Sequence, residues 1–115
     1  MSDNLTLTDY QKAADRTAIY PYRGAEGPAP YPFVGLSGEA GEVSEQFKKL
    51  LRDDDGFLTA DRRDAVIKEL GDVLWYVAAI AHEVDADLEE VARRNIDKLT
   101  DRDDRGVIHG DGDDR

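Results

Sequence analysis

Four carboxylates stand out by spacing: Glu39 with Glu42, and Glu69 with Asp72, each pair three residues apart. On a helix that separation puts both acids on one face, so two helices can set two such pairs opposite one another. The first pair flanks Ala40 and Val43 and the second flanks Leu70 and Val73. All four acids therefore lie at the margin of a packed surface, whereas solvated acids sit opposite it. Carboxylates gathered in this way repel, and the repulsion is relieved by protonation or by divalent cations among them. An all-oxygen group without His or Cys selects hard ions, Mg²⁺ or Mn²⁺ in preference to Zn²⁺. Glycine adds a second pointer, because Gly38, Gly41 and Gly71 immediately precede Glu39, Glu42 and Asp72. Each costs its helix about 1 kcal/mol relative to Ala, so something there needs room. The alternative is that the glycines let two helices cross closely and that acids are simply abundant, 26 of them in this chain.

A third strip supplies the complement. Asn95 lies seven residues after Leu88 on an apolar stripe, and Lys98 and Arg102 follow it at plus three and plus seven. An amide on such a stripe needs a partner. A metal-bound phosphate chain needs a carboxylate cage on one side and cationic donors on the other, and this sequence has both. Arg102, nearer the helix end, is expected to be the more exposed cation, and a solvated charge face is the commoner role for such a residue. Trp75 reads as core or interface rather than as a stacking platform. His82 has no carboxylate three residues before it and His109 falls in the tail, so neither completes the Glu-x-x-His pairs of di-iron bundles. Tyr20, Tyr22 and Tyr31 could flank a base or seal a subunit contact.

The elements that carry these residues are helical, since apolar positions recur at three and four and no long alternating run suggests a sheet. A capping box of Thr8 with Gln11 opens a first helix that runs to about Tyr20, ahead of Pro21. All four prolines and three of the five tyrosines fall between there and Pro32, in a loop. A second helix, Phe33 to Arg52, ends at Asp53-Asp54-Asp55-Gly56. Thr59 or Asp61 caps a third, whose Val66, Leu70, Val73, Leu74, Val77, Ile80, Ala81 and Val84 form the longest apolar stripe and mark it as the core helix. Asp87 with Glu90 caps a fourth, ending near Asp101. The expected architecture is an all-α, four-helix domain over residues 1–101, with an irregular acidic, Gly-rich tail over 102–115. Only 40% of the residues are hydrophobic, so the core is modest and assembly through helix faces into a homo-dimer or homo-tetramer is expected.

Composition narrows the function. A chain of 115 residues is one small domain, and its formal charge of −11 argues against nucleic acid or an anionic membrane as partner. Cysteine is absent, which removes disulfides, thiolate zinc sites and cysteine nucleophiles. No apolar stretch is long enough to span a membrane, and Met1-Ser2-Asp3-Asn4 lacks the features of a signal peptide, so a cytoplasmic location is expected.

The stretches Gly35-Leu36-Ser37-Gly38-Glu39-Ala40-Gly41-Glu42-Val43 and Lys68-Glu69-Leu70-Gly71-Asp72-Val73-Leu74-Trp75-Tyr76 resemble the MazG nucleotide pyrophosphohydrolases of the all-α NTP pyrophosphatase superfamily. The resemblance extends from Tyr10-Gln11 through Asn95-Ile96-Asp97-Lys98-Leu99 to Arg105-Gly106, and the ending Gly110 to Arg115 is similar to tails of short MazG-like proteins. It implies hydrolysis of a nucleoside triphosphate between the α and β phosphates, giving a monophosphate and pyrophosphate. Glu39, Glu42, Glu69 and Asp72 would be the Mg²⁺ ligands, with Glu39 or Glu42 orienting the water. Asn95 and Lys98 match positions that contact phosphate or nucleotide, and Tyr76 a position near the sugar or base. Arg102 shares their strip and joins the substrate-binding set. One departure is Gly38, where the family pattern often has a glutamate; the alternative reading is a degenerate family member or a non-catalytic helical module whose acidic faces bind a basic partner. Glu45 could substitute for that acid, but a surface salt bridge with Lys48 or Lys49 suits it better.

Overall fold

The computed structural model describes residues 4–115, and the opening segment read above for a signal peptide lies mostly outside them. The described residues form four helices and no strand: α1 (Leu7–Asp15), α2 (Tyr31–Asp53), α3 (Ala60–Glu83) and α4 (Leu88–Asp104). The all-α expectation holds. None of these helices is long and apolar enough to cross a membrane.

The caps explain the boundaries. Thr6, not Thr8, opens α1 by accepting from the Asp9 amide. Thr8 and Gln11 instead serve α4: Thr8 donates to Asp87 Oδ1 at 2.8 Å, and Gln11 Oε1 accepts from the Leu88 amide at 2.9 Å. Gln11 also donates to the Ala78 and Ala86 carbonyls, so one amide ties α1 to the α3–α4 turn. Helix α1 stops at Asp15, five residues short of the expected Tyr20. Arg23 reaches back to the Asp15 and Ala18 carbonyls and to the Asp15 carboxylate, stitching the proline-rich loop onto that end. Thr59 caps α3 and Asp87 caps α4, the latter through the Glu89 amide. Glu90 therefore completes no capping box. Helix α4 continues to Asp104, beyond the expected Asp101.

Helices α2 and α3 form a long antiparallel hairpin, with α1 and the start of α4 packed at the end where α3 finishes. The buried core lies there and is built from small residues. One cluster joins Ala18, Tyr20, Ala29 and Ala79 under Trp75, and a second joins Ala78, Ala81 and Leu88 beside Tyr10 and Val77. Of the expected core stripe of α3 only Ala81 is buried; Val66, Val73, Val77 and Ile80 are half-buried, and Val84 is exposed. Ile67, Leu70 and Leu74 are exposed, as are Phe47 and Leu51 on α2 and Phe57 and Leu58 in the connecting turn.

Candidate active site

The α2–α3 seam is polar where two such helices would ordinarily meet through leucines. Spacings of four and then seven carry Gly35, Glu39 and Gln46 along α2, and heptad spacing carries Arg62, Glu69 and Tyr76 along α3, with Asp72 one turn from both Glu69 and Tyr76. At the α1 end of the seam the Tyr76 ring packs closely against Gly35. A Cβ at that glycine would sit 2.3 Å from the ring. Gly38, Gly41 and Gly71, singled out above as places needing room for a crossing, face open space within the chain. The close approach between the helices is at Gly35.

Glu39, Glu69 and Asp72 converge next, each offering an oxygen so that all three lie within 4.8 Å of one another. Oxygens around an octahedral Mg²⁺ are separated by roughly 3.0 Å (cis) and 4.2 Å (trans), so this group fits a hard divalent cation after closing by a fraction of an ångström. Glu39 and Glu69 are half-buried and Asp72 is exposed, which leaves the group open on one side. Glu42 is exposed and is not one of the three grouped acids. Its charge is still felt. Desolvation, then the charges of Asp72, Glu69 and Glu42 in that order, push the Glu39 carboxyl above its ordinary pKa. A bound cation would remove that penalty.

Beside the triad an open pocket of 370 Å³ is lined by Thr17, Glu39, Asp72, Trp75 and Tyr76. Its wall is aromatic. Trp75 meets Tyr76 edge-on at 5.0 Å, Tyr76 meets Tyr31 at 6.4 Å, and Tyr31 stacks on Tyr20 at 5.6 Å. Burial, then hydrogen bonding to the Tyr31 hydroxyl, raises the Tyr76 phenol, so it is a neutral donor at any physiological pH. Thr17 accepts a 2.8 Å hydrogen bond from Trp75 Nε1 and fixes the indole. Sequence reasoning passed over Thr17 because it ran the first helix on to Tyr20, whereas Thr17 lies just past the end of α1. It also passed over Gln46 and Arg62, although each stands a heptad from a triad member and that spacing was readable.

The fourth-helix strip comes out differently. Asn95 is exposed and its side chain makes no hydrogen bond among the described residues, so it does not lie on a buried stripe within the chain. Lys98 donates to Asp113 Oδ1 at 2.8 Å, and Arg102 donates to the same oxygen at 3.0 Å and to the Asp113 carbonyl. Arg102 is the more buried cation of the two, reversing the expected order. The hydrogen bonds from Lys98 and then Arg102 hold the Asp113 carboxyl below its usual range. The tail is thus irregular but anchored: Arg115 donates to the carbonyls of Val107, Ile108 and Gly112, and Arg105 to that of Arg115. No ion pair joins Lys98 or Arg102 to the triad among the described residues. Glu45 bonds Lys48 at 2.8 Å, the surface salt bridge expected of it.

An all-helical chain that gathers three carboxylates beside an aromatic pocket belongs to a recognisable class. Residues 33–107 match the MazG nucleotide pyrophosphohydrolase domain, and the chain is a member of that family. It is also 52% identical over 110 residues to the Gene 37 protein of Mycobacterium phage L5, an alignment covering 92% of this chain and 96% of that protein.

Proposed function

We propose that this protein is a Mg²⁺-dependent nucleoside triphosphate pyrophosphohydrolase, with Mn²⁺ an acceptable substitute, that cuts between the α and β phosphates to give a nucleoside or deoxynucleoside monophosphate and pyrophosphate. The observation that carries this reading is the Glu39–Glu69–Asp72 triad opening onto a pocket walled by Trp75 and Tyr76. Bound among those oxygens, the cation would neutralise phosphate charge and acidify water. The residues do the rest. Tyr76 and Trp75 offer π surface and a phenolic donor to the base or sugar. Glu42, outside the triad yet close enough to bias Glu39, is the carboxylate left to orient a water. Lys98, with Asn95 exposed one turn before it, would meet phosphate oxygens once Asp113 gives way. Arg102 would follow, although its burial makes it the harder of the two to release.

The assay is product analysis across the common NTPs and dNTPs with and without Mg²⁺. The expected result is pyrophosphate, not orthophosphate, from at least one of them. Orthophosphate alone, or no metal-dependent turnover on any, overturns the reading.

The working unit is an oligomer of this chain. A compact monomer of 12.8 kDa exposes about 6,300 Å², whereas this chain exposes 8373 Å². Its radius of gyration is 17.1 Å, against about 13 Å for a globule of this length. The excess, on the order of 2,000 Å² per protomer, is the area an obligate dimer buries. Phe47, Leu51, Phe57, Leu58, Ile67 and Leu70 supply the apolar surface.

A further inference from the structure

Gln46 is a buried amide in the middle of the helical hairpin, only 8% exposed, and a buried amide must find partners for both ends. Its Oε1 accepts from the Arg62 guanidinium at 2.8 Å. Arg62 has only donors, so this contact fixes which way the amide faces and turns Nε2 toward α3. There it points at Oε1 of Glu69, 3.5 Å away. Arg62 is itself held by Asp54, Nε to Oδ2 at 2.7 Å, and both of those side chains are more than four-fifths buried. A continuous polar chain, Asp54 to Arg62 to Gln46 to Glu69, thus runs from the α2–α3 turn to one member of the carboxylate triad.

We infer that Gln46, oriented by Arg62, is a positioning residue that sets the carboxylate of Glu69 for the divalent cation. This rests on the reading of Glu39, Glu69 and Asp72 as cation ligands. The residue types suit the task. An ammonium or guanidinium next to Glu69 would form an ion pair and compete with the cation for the oxygens. A neutral amide donor restrains the carboxylate without cancelling its charge. The long 3.5 Å contact limits the swing of the side chain while leaving both oxygens able to bond elsewhere. Arg62 is held away from the triad because its Nε is tied to Asp54 and its Nη1 to the far end of the amide. The charge of the guanidinium reaches Glu69 only through that neutral spacer.

The test is Mn²⁺ binding to the full chain at neutral pH, followed by the loss of free-Mn²⁺ EPR signal, with helicity and melting recorded in parallel. Gln46→Met keeps the length and volume and removes both hydrogen bonds, and it should raise the Mn²⁺ Kd about tenfold, the lower end for loss of such a partner. Arg62→Met should act in the same direction, because a freed amide can turn either end toward Glu69. The double variant should bind no more weakly than Gln46→Met alone, since the two act through one chain. Glu45→Gln, on the same helix but paired with Lys48 at the surface, should leave the Kd unchanged. If Gln46→Met folds poorly, Arg62→Lys supplies the same reading more gently, with a loss of about threefold. Folded Gln46→Met or Arg62→Lys protein with wild-type Mn²⁺ affinity overturns the positioning role. Glu69→Gln separates the two ideas: if it loses Mn²⁺ while Gln46→Met does not, only the positioning role falls, and if it also binds like wild type, the cation site itself is misplaced.

Discussion

Replacing Gly35 by Ala tests the contact that brings α2 and α3 together at the pocket. The added methyl would lie 2.3 Å from Tyr76 Cε1, 2.6 Å from Cζ and 2.9 Å from Cδ1, whereas ordinary contact begins near 3.4 Å. The ring must therefore withdraw by roughly 1 Å, or the helices must part by a similar amount. Tyr76 has little freedom to move, with Trp75 and Tyr31 beside it. Overpacking of this kind costs about 1–3 kcal/mol, set against a gain of about 1 kcal/mol from exchanging Gly for Ala in a helix. The net expectation is a loss of roughly 0–2 kcal/mol.

Gly38, three residues on in the same helix with open space at its Cβ, provides the comparison. Gly38→Ala should collect the helical gain alone, so the two variants should differ by about 1–3 kcal/mol, or roughly 4–12 °C in Tm for a chain of this size. Thermal melts of both variants in one buffer measure that gap. Gly35→Ala should in addition weaken binding of a non-hydrolysable nucleoside triphosphate analogue about tenfold, because the displaced ring forms one wall of the pocket. A Gly35→Ala protein that melts at or above Gly38→Ala and binds the analogue normally would refute the reasoning, since the ring could not then be resting on that backbone.

Asp72→Asn keeps volume and removes one charge from the triad, so Mg²⁺-dependent pyrophosphate release should be abolished while the far-ultraviolet dichroism is unchanged; near-normal turnover would displace the site. Glu83 is held below its ordinary pKa by hydrogen bonds from the Tyr20 hydroxyl and the Ala29 amide, both at 2.6 Å. A lowered folded pKa means its stabilisation is complete above the unfolded value, near 4.5, and is lost as pH falls through the folded one. Glu83→Gln should cost about 1 kcal/mol at pH 7 and flatten the acid limb of a Tm-against-pH curve, and an unchanged limb would exonerate Glu83. Lys98→Ala removes a bond to Asp113 as well as a phosphate donor, so it should raise KM several-fold with a small fall in Tm; unchanged KM would assign Lys98 to the tail alone. Leu51→Arg should shift the mass by light scattering toward the monomer if the exposed hairpin face is the subunit contact.

Much of the fold was legible because helix periodicity and capping chemistry are local. Thr59 and Asp87 sit where a side-chain oxygen meets an orphan amide, and no tertiary information is needed to see that. The errors arose where a distant group competed for the same side chain. Thr8 and Gln11 have the spacing of a capping box, but Asp87, Ala78, Ala86 and Leu88 claim their polar atoms from 67 to 79 residues away. Arg102 was expected at the surface because it lies near a helix end, and it is covered by a tail whose return sequence periodicity cannot express.

The site divides along the same line. Glu39, Glu69 and Asp72 could be read from spacing because helical geometry alone places them on facing strips. Glu42 obeys the same spacing and is nevertheless left outside, exposed rather than turned toward the seam between the two helices. The position that does lie on it, a heptad after Glu39, holds Gln46, a residue that composition and motif both pass over. Its burial turns an ordinary polar side chain into an oriented donor. A seam meant only to hold two helices together would place leucine there, so the amide at 46 and the guanidinium at 62 point to a hairpin that gives up apolar contact in order to hold its carboxylates.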